Sequence, residues 1–244
     1  MSKNVKRGYV STDEKEFGEE ALEILKEAGR DLYYLINRGY HIKGASTFIG
    51  NHFMLSERQR LALVRSISTE KMLSLRKSKE IITDLEGSTV YIDGFNTIIT
   101  LEIAFSGSTL LKCMDGTIRD LAGLRGTYRL IDKTDHAITE IGRALDEKKI
   151  KKAVFYLDAP VSNSGRLKQR ICDLLESANF EVQVEIINNV DSVLEKLDHV
   201  ITGDAIILDK CISWFNLTRI IIENTIGEYP YVDFCINGQN VKLR

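Results

Sequence analysis

Three short apolar runs in the second half of the chain each end on an aspartate: Thr-Val-Tyr-Ile-Asp93, Ala-Val-Phe-Tyr-Leu-Asp158 and Val-Ile-Thr-Gly-Asp204. β-Branched and aromatic residues fill the runs, and turn or helix-start residues follow each acid. Each run therefore reads as a buried strand with a carboxylate at its end. Helical patterns lie between them, and strands alternating with helices imply an open, largely parallel sheet. Ligands of such sheets bind outside the carboxyl ends of the strands. Three carboxylates gathered there repel one another unless a cation neutralises them, so the pattern points to a divalent metal site.

The rest of the α/β half follows the same alternation. Helices are expected at 134–147, with Ala137, Ile138, Ile141 and Leu145 inward, and at 164–178, with Leu167, Ile171 and Leu174 inward. A short helix at 191–197 and another at 204–213 complete the set, with strands at Glu181–Ile187 and Arg219–Ile222. Asp115-Gly116 marks a type I′ hairpin turn between Leu110–Met114 and Thr117–Arg119, and Asn237-Gly238 marks a second in the tail.

Ahead of Ser88 the period is helical. Phe17, Ala21, Ile24, Leu25, Ala28, Leu32 and Leu35 recur at intervals of three and four. Ser56-Glu57-Arg58-Gln59 is a capping-box pattern, followed by Leu61, Val64 and Ile67 on one face and a further helix over Thr69–Ile82. The expected organisation is an all-helical N-terminal domain, 1–87, and an α/β domain, 88–244.

The longest apolar runs are a few residues broken by charges, which excludes a membrane-spanning helix. The basic start lacks the apolar stretch of a secretory signal, and Cys113, Cys172, Cys211 and Cys235 form no Cys-x-x-Cys pair. A cytoplasmic protein with reduced thiols is expected, and a zinc site is not. Residues 1–87 carry 15 Lys/Arg against 13 Asp/Glu, and residues 88–244 carry 18 against 22. A basic segment, Ser56–Glu80, beside an acidic half suits a nucleic-acid enzyme, and it also describes a solvated helix face.

Tyr-Ile-Asp93-Gly-Phe-Asn96, a strand ending in Asp158, and Thr-Gly-Asp204-Ala-Ile-Ile together resemble the PIN-like nuclease superfamily, its NYN branch in particular, over roughly residues 88–225. Residues 1–87 resemble the helical part of largely archaeal two-domain proteins. The resemblance implies a three-layer PIN-like fold with a mostly parallel central sheet. It also implies a Mg²⁺- or Mn²⁺-dependent ribonuclease with Asp93, Asp158 and Asp204 as metal ligands. Members of that superfamily often carry Asp-x-Asp at the last strand. Here Ala205 follows Asp204, and Asp209 comes five residues on, on the same helix but on another face. The fourth acid is thus left open between Asp209 and the candidates Glu102, Asp115 and Asp120, and with it the holding of two metals.

RNA, single-stranded or structured, is the expected partner, and a homodimer is left open. Asn96 either orients Asp93 or contacts phosphate, or else caps a helix. Ser162, Ser164, Arg166 and Lys168 form an anion site or an ordinary capped helix. Arg119, Arg125 and Arg129, with Tyr128 for stacking, either clamp an RNA backbone or pair with Asp115, Asp120 and Asp132. The competing reading of the whole chain is a non-catalytic RNA-binding or scaffolding module on the same fold.

Overall fold

The computed structural model describes residues 6–123 and 126–235. Five helices come first: α1 (Asp13–Glu16), α2 (Glu19–Asn37), α3 (Ile42–His52), α4 (Glu57–Ser66) and α5 (Glu70–Lys79). Then follow β1 (Thr89–Asp93), α6 (Gly94–Phe105), the hairpin strands β2 (Leu110–Lys112) and β3 (Ile118–Asp120), and α7 (Asp132–Glu147). The remainder is β4 (Lys152–Asp158), α8 (Ser164–Leu174), β5 (Glu181–Ile187), α9 (Val190–Leu194) and β6 (Val200–Ile201). It closes with α10 (Ala205–Lys210), α11 (Leu217–Ile226) and β7 (Val232–Asp233). The protein is thus mixed α/β, with helices at its N-terminus.

Two compact units form, and they do not follow the expected linear division at 87/88. Unit one holds Ser78–Ser108, Ala122–Tyr229 and residues 6–9; unit two holds Val10–Lys77, Thr109–Leu121 and the chain from Pro230. The reason lies in the core of unit two. Leu25, Ala28, Leu32, Ala62 and Leu63 of its helices cluster with Leu111, Cys113, Leu121, Val232 and Phe234 from the hairpin and β7. Amphipathic helices need an apolar partner layer, and this small sheet, in the order β3-β2-β7, supplies it.

Unit one is built on a wholly parallel sheet in the order β5-β4-β1-β6. The chain adds β4 and β5 on one side of β1 and then crosses to add β6 on the other, so the order reverses at β1. Val90 and Ile92 are fully buried on one face of that strand. On the opposite face Tyr91 and Tyr156 pack with Val190, Leu194, Ile207, Leu208 and Trp214 from α9, α10 and the segment beyond. Gly94 opens α6 directly after β1, where an added Cβ would stand 2.6 Å from Leu157 Cδ2 and 3.0 Å from the Tyr156 carbonyl oxygen. Gly94→Ala is therefore expected to destabilise unit one by about 1–3 kcal/mol in urea unfolding, because a strand carbonyl cannot yield as a side-chain tip can.

Several sequence expectations need correction. Residues 219–222, read as a strand, lie inside α11, whose buried positions Leu217, Thr218, Ile221 and Ile222 have helical spacing. Leu61 and Val64 face solvent, while Ala62, Leu63 and Ser66 turn inward. Ile24 is also exposed, and Ile36 is buried at the end of α2. The Ser56 capping box forms as expected, Gln59 N–H donating to Ser56 Oγ at 3.1 Å and Ser56 N–H to Gln59 Oε1 at 2.9 Å. The Asp115-Gly116 hairpin forms too, but not through the expected type I′ turn: Gly116 has φ 81° while Asp115 keeps a negative φ. The loop closes with Gly116 N–H donating to the Cys113 carbonyl at 2.9 Å and Cys113 N–H to that of Thr117 at 3.0 Å. The expected Asn237-Gly238 turn lies outside the described residues. Among the described residues no helix is long and apolar enough to cross a membrane.

Candidate functional site

The reversal of strand order at β1 marks the carboxyl ends of β1 and β6 as the edge where open α/β sheets bind ligands. Asp93 ends β1 and caps α6, its Oδ1 accepting the Asn96 N–H at 3.4 Å. Its Oδ2 accepts the Thr202 hydroxyl at 2.8 Å. The same Thr202 oxygen accepts the Asp204 N–H at 3.0 Å, and Asn96 Oδ1 accepts the Gly203 N–H at 2.7 Å. Asn96 thus ties the first strand to the last turn rather than capping its own helix, a tie that the spacing from Asp93 left open. Asp204 caps α10 through the N–H groups of Ile206 and Ile207.

Electrostatics connect these acids. Asp93 is only 7% exposed. Burial pushes its pKa up to about 7, and the charges of Asp204 and Asp158 add to the rise against the hydrogen bonds from Thr202 and Asn96. Asp158 is raised by burial and by Asp191, while accepting the Val190 N–H. Asp191 is raised by burial and then by Asp204. Among the described residues none of Asp93, Asp158, Asp191 and Asp204 has an ion-pair partner. Lys210, whose charge reaches Asp191, is itself paired with Glu195 at 2.6 Å.

Asp191, at the start of α9, was missed from sequence because nothing marks it beyond a helix-start position. The signal was a third βα junction, after β5, on the same sheet edge. Asp209 does not join this group. Five residues turn a helix by about 140° past a full turn, and Asp209 instead lies where its charge acts on Cys211 and its carbonyl oxygen accepts from Lys79 Nζ at 2.9 Å. The donor set consists of hard carboxylate oxygens without a counter-cation, which fits a hard divalent ion better than a soft one. Yet among the described residues no group of three or more His, Cys, Asp and Glu side chains is placed to hold a metal ion. The fit is to an ion that keeps several waters, not to a closed protein cage.

The other expected acids are committed elsewhere. Glu102 is wholly buried on α6, 2.6 Å from Arg7 Nε, and accepts the hydroxyls of Tyr128 and Thr134. Asp115 is buried between Arg76 and Arg119. Asp120 approaches Arg65 at 3.5 Å. For Arg119 the structural pairing holds, and a clamp on an RNA backbone does not.

Tyr128 is likewise no base-stacking group. It is fully buried, edge-on to Phe95 with centroids 5.2 Å apart. Ser162 Oγ accepts the Tyr128 N–H at 2.9 Å, and Asn163 Nδ2 donates to the Tyr128 carbonyl at 2.7 Å. These residues hold the 126–128 loop, so Ser162 has a structural partner. Ser164 is buried in the first turn of α8. Arg166 and Lys168 are exposed on that helix, and Arg129 is exposed on the loop. Arg125 lies outside the described residues.

Residues 82–220 match the family model described as a domain of unknown function (DUF5616), and residues 24–79 match a second, described as a protein of unknown function (DUF434). The chain is 37% identical over 185 residues to the uncharacterized protein MJ0935 of Methanocaldococcus jannaschii, covering 75% of this chain and 88% of that protein. No solved structure matches.

Proposed function

Because this chain belongs to the family described as a domain of unknown function (DUF5616), its chemistry must be read from its own residues, and we propose that it is a metal-dependent ribonuclease. The proposal includes a three-layer PIN-like fold for unit one and Mg²⁺ or Mn²⁺ at its carboxylate edge. The observation that carries it is the set of four carboxylates at one sheet edge, three with raised pKa, with no ion-pair partner for any of them among the described residues. Of the four only Asp93 is buried, and a buried carboxyl without a cationic partner is costly; sites that retain one are usually functional.

Asp93 and Asp204 would hold the ion, with waters and an RNA phosphate filling the remaining positions. When bound, the ion supplies a Lewis-acid centre for the phosphoryl group and the attacking water. Thr202 orients the Asp93 carboxylate by its hydroxyl. Asn96 fixes the turn that carries Asp204 through the Gly203 N–H. Asp158 and Asp191, both raised by burial and by a neighbouring carboxylate, hold a proton more readily than an ordinary surface carboxylate, which suits them to proton transfer. Arg166 and Lys168, exposed on the helix that follows β4, offer positive charge to the RNA backbone.

One observation favours the second reading, a non-catalytic RNA-binding module: the absence, among the described residues, of a ready three-ligand group. Incubation of single-stranded and hairpin RNA with the chain and Mn²⁺ separates the two. Cleavage that disappears in EDTA and in Asp204→Asn supports the nuclease. RNA binding with no cleavage under any metal supports the module.

A further inference from the structure

We propose that the exposed face of α3 in unit two, led into by Tyr40, is a stacking platform for single-stranded RNA. This deepens the proposed function by supplying a substrate-binding surface, and it rests on that reading only for the choice of nucleic acid as ligand.

The surface has an unusual make-up. Tyr40 is 62% exposed and Phe48 65% exposed, although large aromatic side chains are normally drawn into a core. Gly44, Phe48 and His52 form a row of positions four residues apart on α3, and all are exposed. The rings of Phe48 and His52 lie nearly parallel, 11° between planes with centroids 6.5 Å apart. Near-parallel rings on exposed side chains suit nucleobases, which stack without regard to sequence.

Charge favours the same occupant. No Asp or Glu occurs between Asp31 and Glu57, whereas Arg38 and Lys43 fall within that stretch. Lys43 begins the neighbouring row with Thr47 and Asn51, and all three are exposed. Arg38 lies with its guanidinium carbon 5.8 Å from the centre of the Tyr34 ring, itself 43% exposed. A protein partner reading aliphatic knobs would need a different surface; this one offers rings, amides and cations.

Two further features fit a platform. Gly44 sits inside a helix, where glycine is unfavourable by about 1 kcal/mol relative to alanine. No neighbour explains it, since an added Cβ would meet nothing within 4 Å. It leaves a level gap ahead of Phe48. At the other end Arg60 fastens the helix, donating to the carbonyls of Gly50 at 2.7 Å and Leu55 at 2.9 Å and to Asn51 Oδ1 at 2.9 Å. A pre-ordered surface loses less entropy when a strand binds.

The test is fluorescence anisotropy of a labelled twelve-nucleotide oligouridylate with the full chain in EDTA, where cleavage is suppressed. Phe48→Ala and Tyr40→Ala should each weaken binding about 5- to 100-fold. Phe48→Trp should retain binding, and Phe48→Leu should lose it, because leucine keeps apolar area but has no ring face. Lys43→Gln should lower the salt dependence by about 0.7 in log–log slope. All three sites are exposed, and circular dichroism checks that the variants fold. Equal affinity of wild type and Phe48→Ala, equal affinity of the Leu and Trp variants, or no binding at low salt would each overturn the platform. So would a change of Phe48→Ala from oligomer to monomer with RNA binding intact, which would mark the face as a contact between copies. Loss of cleavage in Asp204→Asn with this binding unchanged leaves the two proposals separately decided.

Discussion

Asp93→Asn will stabilise the metal-free protein at pH 8 while reducing the proposed RNA hydrolysis at least about a hundredfold. The folded-state pKa of Asp93 is raised from 3.8 to about 7, by burial above all. A carboxyl whose folded pKa lies above its unfolded value binds a proton more tightly in the native state. Its contribution is therefore fully present below pH 3.8 and is lost as the pH rises to about 7. A rise of this size corresponds to up to about 4 kcal/mol at pH 8. Asparagine has no charge to bury. Its amide can still accept the Asn96 N–H and donate to the Thr202 hydroxyl oxygen, which removes the penalty and keeps the turn. Urea unfolding in EDTA should show the two proteins converging at pH 4 and separating by pH 8. Parallel curves across that range would mean that Asp93 carries no such strain.

The second large effect lies in unit two. Asp115→Ala is expected to cost about 3–5 kcal/mol, the usual consequence of taking one partner from a buried ion pair. Arg76 and Arg119 are 3% and 8% exposed, and both reach the same Asp115 oxygen. Asp115 also accepts the Thr117 hydroxyl at 2.6 Å and the Thr117 N–H at 3.1 Å. Burial pushes the Asp115 pKa up, but Arg119, Thr117 and Arg76 together outweigh it and hold the group below its ordinary value. The stabilisation is therefore present above pH 3.8 and fades as acid protonates the carboxylate. The midpoint of urea unfolding followed by tryptophan-independent far-UV circular dichroism reads this loss, and a shift below about 1 kcal/mol would show that the two guanidinium groups find other compensation.

These two sites also show how far the sequence could be read. The strand ends at Asp93, Asp158 and Asp204 were legible because parallel strands buried on both faces need continuous β-branched and aromatic runs, and few other patterns look like them. The electrostatic link among those acids follows from strand order, which local pattern hints at but does not determine. Asp191 escaped notice because its strand, Glu181–Ile187, alternates polar and apolar residues and is followed by Asn188-Asn189, so the acid stands four residues past the strand and does not end an apolar run. At Ile220–Ile222 local β-propensity was overridden by helical packing of Leu217, Thr218, Ile221 and Ile222. Leu61 and Val64 misled for a similar reason: α4 buries the small residues Ala62 and Ser66 beside Leu63, and a pattern built on large apolar residues selects the wrong face. Tyr128 and Arg119 stand among glycines and turn residues, which suggested a surface loop. Their burial depends on Glu102 and Asp115, partners supplied by packing and not by sequence proximity.

Thermal unfolding of the chelator-stripped chain at pH 7.5 against increasing Mn²⁺ tests the proposed cation site most directly. A ligand that binds only the folded state adds about 2.7 kcal/mol at a hundredfold excess over its Kd, so the wild-type midpoint should climb with Mn²⁺ while Asp93→Asn and Asp204→Asn stay flat. A wild-type midpoint that does not move, or one that climbs equally in the two variants, would contradict a cation held between β1 and β6.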